Sequence, residues 1–320
     1  MGSLLKRSET YLYNVSSYLK VSGDDSASFL QSQFSNNLIT NIEKSATYGL
    51  WLDKKGKVLA DSHILSIDAD TYYIFSEHTN AQFIKETLEQ YIVADDVMIE
   101  EVPVLGCASI SKEDFSDFLQ YLGLAYDLDS GQFIESEAFG VAYKSKRLMG
   151  TGFEIYFTEA KAFESYHSFI SSYPLTELSS KEMNLRRINL GIPLIPDEIG
   201  QDDLAGEGYL VPSAASLTKG CYLGQEVVSR LYHLGTPQRG LYVVHLLSDG
   251  EKLDIQLPDN LNYEGRKIGE LRTLYPLDTK ESLWVGVALL KERFIGCFEK
   301  GVELHGNEIQ LVRKLKMCDE

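Results

Sequence analysis

The sequence is poor in cysteine, and the few cysteines it has are far apart. There are four in 320 residues, namely Cys107, Cys221, Cys297 and Cys318. No Cys-x-x-Cys pair occurs, so we expect no disulfide framework. A self-contained zinc or four-iron site usually needs closely spaced ligands, so we predict no tightly bound metal of the protein's own.

Basic residues and long apolar runs are also scarce. The 30 lysines and arginines face 47 aspartates and glutamates, which gives a formal net charge of −17. This charge argues against direct, sequence-independent binding of nucleic acid, although a locally basic pocket for an anionic small molecule remains compatible with it. No stretch approaches the roughly 18 apolar residues of a membrane span. Residues 1–7 lack the apolar centre of a signal peptide, so we predict a cytoplasmic protein with no membrane partner.

The remaining composition, 44% hydrophobic and 24% charged, is that of a globular protein with sizeable cores. A β-α-β-β-β-α-β pattern is predicted from about residue 18 to 104, and a second, similar run follows to about 174. A helix, a long loop and a second helix occupy 181–235, and short strands with Gly, Asp and Asn turns follow from 240. We predict an α+β fold of three domains, 1–104, 105–239 and 240–320. The first two are related antiparallel-sheet-plus-helix units, and the third is a small β-barrel.

The most informative segment is the run Lys219-Gly220-Cys221-Tyr222-Leu223-Gly224-Gln225-Glu226, here called the motif loop. Apolar residues at helical spacing predict a helix over 224–233, directly after Cys221. The helix dipole and the nearby Lys219 both favour the thiolate of Cys221, the form that attacks electrophiles and binds metals. Gly220 and Gly224 permit unusual backbone geometry and close approach. A buried cysteine in a tight turn is the plainer alternative.

At the motif loop the chain resembles the YgfZ-type folate-binding proteins, relatives of the glycine-cleavage T-protein that act in iron–sulfur cluster assembly or repair. Three further segments carry the resemblance: Val21-Ser22-Gly23-Asp24, Lys55-Gly56-Lys57-Val58-Leu59-Ala60-Asp61 and Arg187-Ile188-Asn189-Leu190-Gly191-Ile192-Pro193. The matches span about residues 18 to 240. The resemblance implies a T-protein-like fold, with two α+β units around a central cleft that binds tetrahydrofolate or a derivative.

The resemblance also assigns roles to single residues. Asp61 stands where the T-protein has a pair of aspartates for proton transfer at folate, although Ala60 replaces the first of them. Glu154 resembles a strand glutamate suited to the amino-amide edge of a pterin. Arg187 suits a folate carboxylate in bidentate geometry, with an interdomain ion pair as the alternative.

Within the motif loop, several roles stay open at this stage. Lys219 binds a folate tail or a phosphate, or it lowers the pKa of the Cys221 thiol. Tyr222 stacks on a pterin or packs under the loop, and Gln225 caps the helix or contacts the ligand. Glu226 contacts the ligand or, more simply, forms a salt bridge with Arg230 four residues later.

Three functions compete. The first is a tetrahydrofolate-binding accessory protein for iron–sulfur clients, including tRNA-modifying radical enzymes, which uses Cys221 as a reactive thiol or as one cluster ligand shared with a partner. The second is a folate-dependent aminomethyl or methyl transferase, with Asp61 as the acid–base group. The third is a non-catalytic scaffold for cluster carriers.

Overall fold

The structure, a computed structural model, describes residues 8–39, 44–128, 133–145, 152–235, 237–248, 253, 255–277 and 282–316. Two features of the sequence analysis lie outside the described residues: the N-terminal segment 1–7 and Cys318. Within the described part, no helix is both long enough and apolar enough to cross a membrane.

Contacts along the chain define two compact units. The first comprises Met1–Gly49 and Asp61–Met183, and the second comprises Leu50–Ala60 and Asn184–Glu320. The second unit thus includes a short segment from early in the chain as well as the last two-fifths or so of it. The division into three domains at 104 and 239 stays a prediction.

The first unit is built on two sheets. Their strands are β1 (Glu9–Tyr13), β2 (Ser17–Ser22), β3 (Ala46–Leu52), β4 (Val58–Ser66), β5 (Thr71–Ser76), β6 (Met98–Glu101), β7 (Gly106–Ser111), β8 (Phe133–Ser136), β9 (Gly140–Ser145), β10 (Gly152–Phe157) and β11 (Thr176–Glu177). A five-stranded sheet has the order β3-β4-β5-β2-β6, and a six-stranded sheet has the order β11-β1-β7-β10-β9-β8. All described pairings are antiparallel except β1 with β11.

Helices lie between and after these strands along the chain. They are α1 (Ser26–Gln33), α2 (Ala81–Glu89), α3 (Lys112–Tyr121), α4 (Ala160–Ser172) and α5 (Ser180–Leu190). The side chain of Asn80 caps α2 and that of Ser111 caps α3, each by accepting a backbone N–H of the first turn. The order β2-α1-β3-β4-β5-α2-β6 along the chain confirms the predicted β-α-β-β-β-α-β pattern.

Strand alternation gives the six-stranded sheet two buried faces. Along β10, Phe153 and Ile155 face α3 and α4 in one apolar core, whereas Tyr156 joins an aromatic core on the other side. That second core also contains Tyr18 and Phe75 of the five-stranded sheet. The rings of Phe75 and Tyr156 lie 4.0 Å apart between centroids, so the two sheets pack face to face through aromatic side chains.

The C-terminal part of the second unit is a barrel-like sheet. Its strands are β12 (Arg239–Leu247), β13 (Asp259–Tyr263), β14 (Arg266–Pro276), β15 (Leu283–Lys291), β16 (Val302–Leu304) and β17 (Asn307–Lys314), in the order β13-β14-β15-β12-β17-β16. Glu264 and Gly265, both at positive φ, form the two-residue turn between β13 and β14. The edge strands β13 and β16 lie near each other, so the sheet is nearly closed around a core that includes Val244, Leu271 and Leu290. The α+β class with an all-β C-terminal region is confirmed.

Candidate functional site

Helix α6 (Val211–Ala214) precedes the motif loop, and helix α7 (Gln225–Leu234) begins at the end of it. The predicted helix after Cys221 is therefore confirmed. Gly224 precedes α7 with φ +82°, in the left-handed region that favours glycine. A Cβ at this position would lie 2.7 Å from the carbonyl oxygen of Asp53 and 3.1 Å from Cα of Gly56. Gly224 therefore allows the start of α7 to rest directly on another segment of backbone.

That segment is the tip of the hairpin between β3 and β4, residues 53–57. The carboxylate of Asp53 accepts the backbone N–H groups of Lys55 and Lys57, each at 2.8 Å, and Gly56 takes φ +72°. A Cβ on Gly56 would meet Cβ of Val227 at 3.0 Å. Two of the glycines that the sequence analysis singled out thus face each other, and together they seat α7 on the hairpin tip.

The reactive side chains of the motif loop differ in exposure. Cys221 is exposed, Lys219 is half-buried and Tyr222 is buried. The Lys219 ammonium lies 5.0 Å from the centroid of the Tyr222 ring, within cation–π range. Burial lowers the pKa of Lys219 to about 8 and raises that of Tyr222 to about 12. Tyr222 therefore packs under the loop and carries Lys219 on its face, while the Cys221 thiol points to an accessible surface.

Gln225 and Glu226 occupy the first turn of α7. The Gln225 side chain donates to the backbone carbonyl of Lys219 at 3.3 Å, which closes the motif loop. Glu226 and Arg230 are both exposed, and no ion pair within 4.0 Å joins these two described residues, so the expected salt bridge is absent. Glu226 is left as a solvent-facing carboxylate at a helix N-terminus, where it interacts favourably with the helix dipole.

Arg187 has a partner inside the second unit. Its guanidinium makes a bidentate pair with Glu198, with N–O distances of 2.9 and 2.8 Å. The remaining N–H groups donate to Asn184, to the carbonyl of Ile192 and to Tyr275. All five donors are thus engaged and the residue is buried, so the structure favours the internal ion pair over a folate carboxylate as the partner of Arg187.

The long loop before the motif is fixed by further buried carboxylates. Asp203 lies within 3.4 Å of the guanidinium groups of both Arg239 and Arg272. Glu207 accepts two hydrogen bonds from Arg239, each at 2.7 Å. A 3-10 helix (Ala205–Gly208) lies in this segment and packs against α7. A loop of this length is often functional or partly mobile. Here three buried carboxylates, those of Glu198, Asp203 and Glu207, hold it in place through their contacts with arginines.

In the first unit, Asp61 lies on β4 with its carboxyl half-buried. Burial raises the pKa of Asp61 to about 6, against an opposing hydrogen bond of 3.0 Å from the hydroxyl of Tyr48. Ala60 points to the opposite, fully buried face of the strand. The carboxyl group of Asp61 therefore changes protonation near neutral pH, which suits an acid–base group.

Glu154 lies on β10 and is 1% exposed. Its Oε2 accepts hydrogen bonds from the hydroxyls of Tyr13 at 2.7 Å and Ser109 at 2.5 Å. Ser109 is its direct cross-strand neighbour on β7. A carboxylate buried in a sheet is costly unless it is hydrogen-bonded or paired. The two hydroxyl donors offset that cost for Glu154.

Hydroxyl contacts connect the surroundings of Glu154 with those of Asp61. The Tyr13 hydroxyl donates to the Tyr156 hydroxyl at 3.5 Å. The hydroxyls of Tyr156 and Tyr143 lie 3.1 Å apart, and the Tyr143 hydroxyl lies 3.3 Å from Nδ1 of His63. The His63 ring packs against Tyr48, the partner of Asp61, at 5.1 Å between centroids. We call these residues the tyrosine chain: Tyr13, Tyr48, His63, Tyr143 and Tyr156.

Sequence reasoning missed the tyrosine chain, although one local signal was present. His63 follows Asp61 by two residues and so shares its strand face. The tyrosines come from β1, β3, β9 and β10, and only the fold brings them together. Burial raises the pKa of Tyr156 well above its ordinary value, so its phenol stays neutral and serves as a hydrogen-bond donor or acceptor.

The predicted site residues fall into two sets. Asp61 and Glu154 belong to the first unit, on different sheets joined by the tyrosine chain. The motif loop and Arg187 belong to the second unit. No group of three or more His, Cys, Asp or Glu suited to a metal occurs in the part of the chain that the structure describes.

Comparison with known proteins defines the class to which this fold belongs. A model of the GCVT N-terminal domain matches residues 6–210, and the chain belongs to that family. The solved aminomethyltransferase T of the Bartonella henselae glycine cleavage system aligns with a TM-score of 0.78 at 16% identity, covering 98% of this chain and 87% of that one. The T-protein-like fold is thereby confirmed.

Two curated relatives refine the comparison. The tRNA-modifying protein YgfZ of Colwellia psychrerythraea is 23% identical over 289 residues, covering 87% of this chain and 85% of the relative. The aminomethyltransferase of Staphylococcus carnosus is 22% identical over 263 residues, covering 78% and 70%. Together with the family match, these similarities confirm a YgfZ-type member of the T-protein superfamily.

Proposed function

We propose that the protein is a tetrahydrofolate-binding accessory factor for iron–sulfur enzymes, and that it uses Cys221 as its reactive thiol. The observation that carries the proposal is the tyrosine chain, which connects Asp61 and Glu154 from different sheets in one polar cluster. Membership of a folate-related family supports the ligand. A cytoplasmic setting and partners that carry or receive clusters are part of the same proposal.

The chemistry of the residues in the first unit fits a reduced folate. A pterin offers a flat ring and an edge of N–H donors. Tyr48 and His63, both half-buried, supply aromatic faces, and the carboxylate of Glu154 would accept hydrogen bonds from that edge. When bound, tetrahydrofolate supplies nitrogen atoms that carry one-carbon units.

Asp61 would hold or release a proton at the side of the ligand. With a pKa of about 6, its carboxyl exists in both forms near neutral pH, and the Tyr48 hydroxyl fixes its orientation. A group of this kind transfers protons efficiently in either direction. Its charge would also affect the affinity for a ligand whose protonation changes in the same range.

Cys221 has the accessibility that a reactive or cluster-contacting thiol needs. Of the cysteines in the described part, Cys107 is buried and Cys297 is half-buried, whereas Cys221 is exposed. Gly220 has open space around its Cα, with no atom within 4 Å of the position that a Cβ would occupy, so a partner can approach the thiol closely. As a single ligand, Cys221 would share a cluster with ligands from a partner or a small thiol.

The experiment that tests the thiol is complementation of a strain that lacks its own YgfZ-type protein. Cys221→Ala should keep the fold but lose support of iron–sulfur enzyme activity, and Cys297→Ala is the matched control that should retain it. Full support by Cys221→Ala would remove the thiol from the mechanism.

The raised pKa of Asp61 also favours a second candidate, a folate-dependent aminomethyl or methyl transferase. That activity needs an acid–base carboxyl, and Asp61, with a pKa of about 6, meets this requirement. Incubation of the purified protein with tetrahydrofolate and a methylated or aminomethylated amine distinguishes the two. Folate binding without turnover supports the accessory factor, whereas turnover that Asp61→Asn abolishes supports the transferase.

A further inference from the structure

A cluster of positive charge lies on the barrel of the second unit, in a chain whose net charge is −17. Arg266, Lys267, Lys291 and Arg293 line a cavity of about 600 Å³ together with Phe294. Neither the motif loop nor the tyrosine chain contributes to this cavity. Four cations around one space are unexpected in a protein with such an acidic composition.

Three chain segments converge to form the cluster. Arg266 is the first residue of β14, directly after the tight turn at Glu264 and Gly265. Strand β15 pairs with β14 and ends at Lys291. The following 3-10 helix (Glu292–Lys300) presents Arg293. Regular pairing in the barrel therefore fixes the position from which each cation extends.

Most of these charges have no acidic partner. Lys267 pairs with Glu270. Lys291 donates to the backbone carbonyl of Lys267 at 2.8 Å, a contact that leaves its charge uncompensated. Among the described residues, no carboxylate lies within 4.0 Å of Arg266, Lys291 or Arg293. Like charges held close together repel each other, and a multivalent anion between them relieves that repulsion.

An aromatic ring accompanies the cations. Phe294 is half-buried, and the Arg293 guanidinium lies 4.8 Å from the centroid of its ring. Arginine forks match the oxygen atoms of phosphate groups in bidentate geometry, and a ring at the same cavity can stack on a nucleobase.

We propose that this cavity binds a small molecule bearing two or more phosphate groups. Nucleoside di- and triphosphates and inorganic polyphosphate share this chemistry, and the aromatic ring is the feature that tells them apart. The proposal is independent of folate binding and of Cys221, since it uses none of their residues.

The test is isothermal titration of the full-length protein with two probes, ATP and inorganic tripolyphosphate. We expect both to bind the wild type and the affinity for both to fall at least about tenfold in Arg266→Gln/Arg293→Gln. Lys161→Gln/Lys181→Gln makes the same change in net charge at two exposed lysines elsewhere and should bind like wild type. Affinity should also fall as salt rises from about 50 to about 300 mM.

The two probes separate the sources of the phosphate. Tighter binding of ATP, lost in Phe294→Leu, assigns a nucleotide, whereas equal binding of both probes assigns the polyphosphate group alone. The proposal is overturned if neither probe binds at about 1 mM, if both double variants weaken binding equally, or if only RNA binds. The two arginines are exposed, so the fold should survive. Should the double variant fail to fold, Arg293→Gln alone is measured, with the same expected loss.

Discussion

Substitution of Gly224 by alanine should damage the second unit far more than the same substitution at Gly220, four residues away in the motif loop. Gly224 has φ +82°, and its added Cβ would lie 2.7 Å from the carbonyl oxygen of Asp53. A Cβ added at Gly220 would meet no atom within 4 Å. The pair is therefore a matched comparison of one chemical change in a crowded and an open setting.

The magnitude follows from two contributions. The left-handed conformation costs a non-glycine residue about 1–2 kcal/mol. Relief of the overlap with backbone, which cannot rotate away as a side chain does, adds about 1–3 kcal/mol of overpacking strain. We expect Gly224→Ala to lower the free energy of unfolding by about 2–5 kcal/mol, and Gly220→Ala to change it by less than about 0.5 kcal/mol.

Tryptophan fluorescence during urea unfolding measures the effect directly. The chain has two tryptophans, Trp51 and Trp284, and both belong to the second unit. For a slope of about 2 kcal/mol per molar urea, the midpoint should fall by about 1–2.5 M in Gly224→Ala. Equal midpoints for the two variants would refute the packing of α7 on the hairpin tip.

Three further predictions concern ionisable groups. Glu198→Gln leaves the Arg187 charge buried without its partner and should destabilise the second unit by about 3–5 kcal/mol in the same assay, whereas the exposed Glu299→Gln should have almost no effect; similar losses would contradict the ion pair. The folded-state pKa of Asp61, about 6, is raised, so the stability of the wild type should fall as the pH rises from about 4 to about 6. The Asp61→Asn variant has no such loss. Unfolding followed by circular dichroism should therefore show its free energy of unfolding rising relative to that of the wild type by up to about 3 kcal/mol between low and neutral pH. A difference in stability that does not change with pH would argue against a raised pKa. Since burial lowers the pKa of Lys219 to about 8, acylation of its amine, followed by peptide mass spectrometry, should have its midpoint near that pH, and a midpoint above about 10 would contradict it.

Local features of this fold could be predicted because their causes lie within a few residues. The hairpin tip at Gly56, the cap of α3 at Ser111 and the start of α7 after Gly224 each depend on a turn or capping residue next to a periodic segment. For α7, helical spacing predicts that the helix forms but not how much of it is buried. Leu234, its last residue, is 75% exposed, whereas Val228, near its first turn, is buried.

Long-range partners could not be predicted in the same way. Nothing near Arg187 indicates that Glu198, from a loop, takes its guanidinium rather than a ligand. Strand β1 was missed as well, and its Tyr13 supplies a hydrogen bond to Glu154 from 141 residues away. Such pairs depend on sheet order and register, and local patterns in a single sequence do not determine either.

Isothermal titration of tetrahydrofolate into anaerobic full-length protein tests the proposed folate site most directly, with wild type compared with Glu154→Gln, Asp61→Asn and Cys221→Ala. We expect micromolar-range binding to wild type and to Cys221→Ala, and about tenfold or greater weakening in the two carboxyl variants. Unchanged binding in both carboxyl variants, or no binding to wild type, would contradict a folate site at the tyrosine chain.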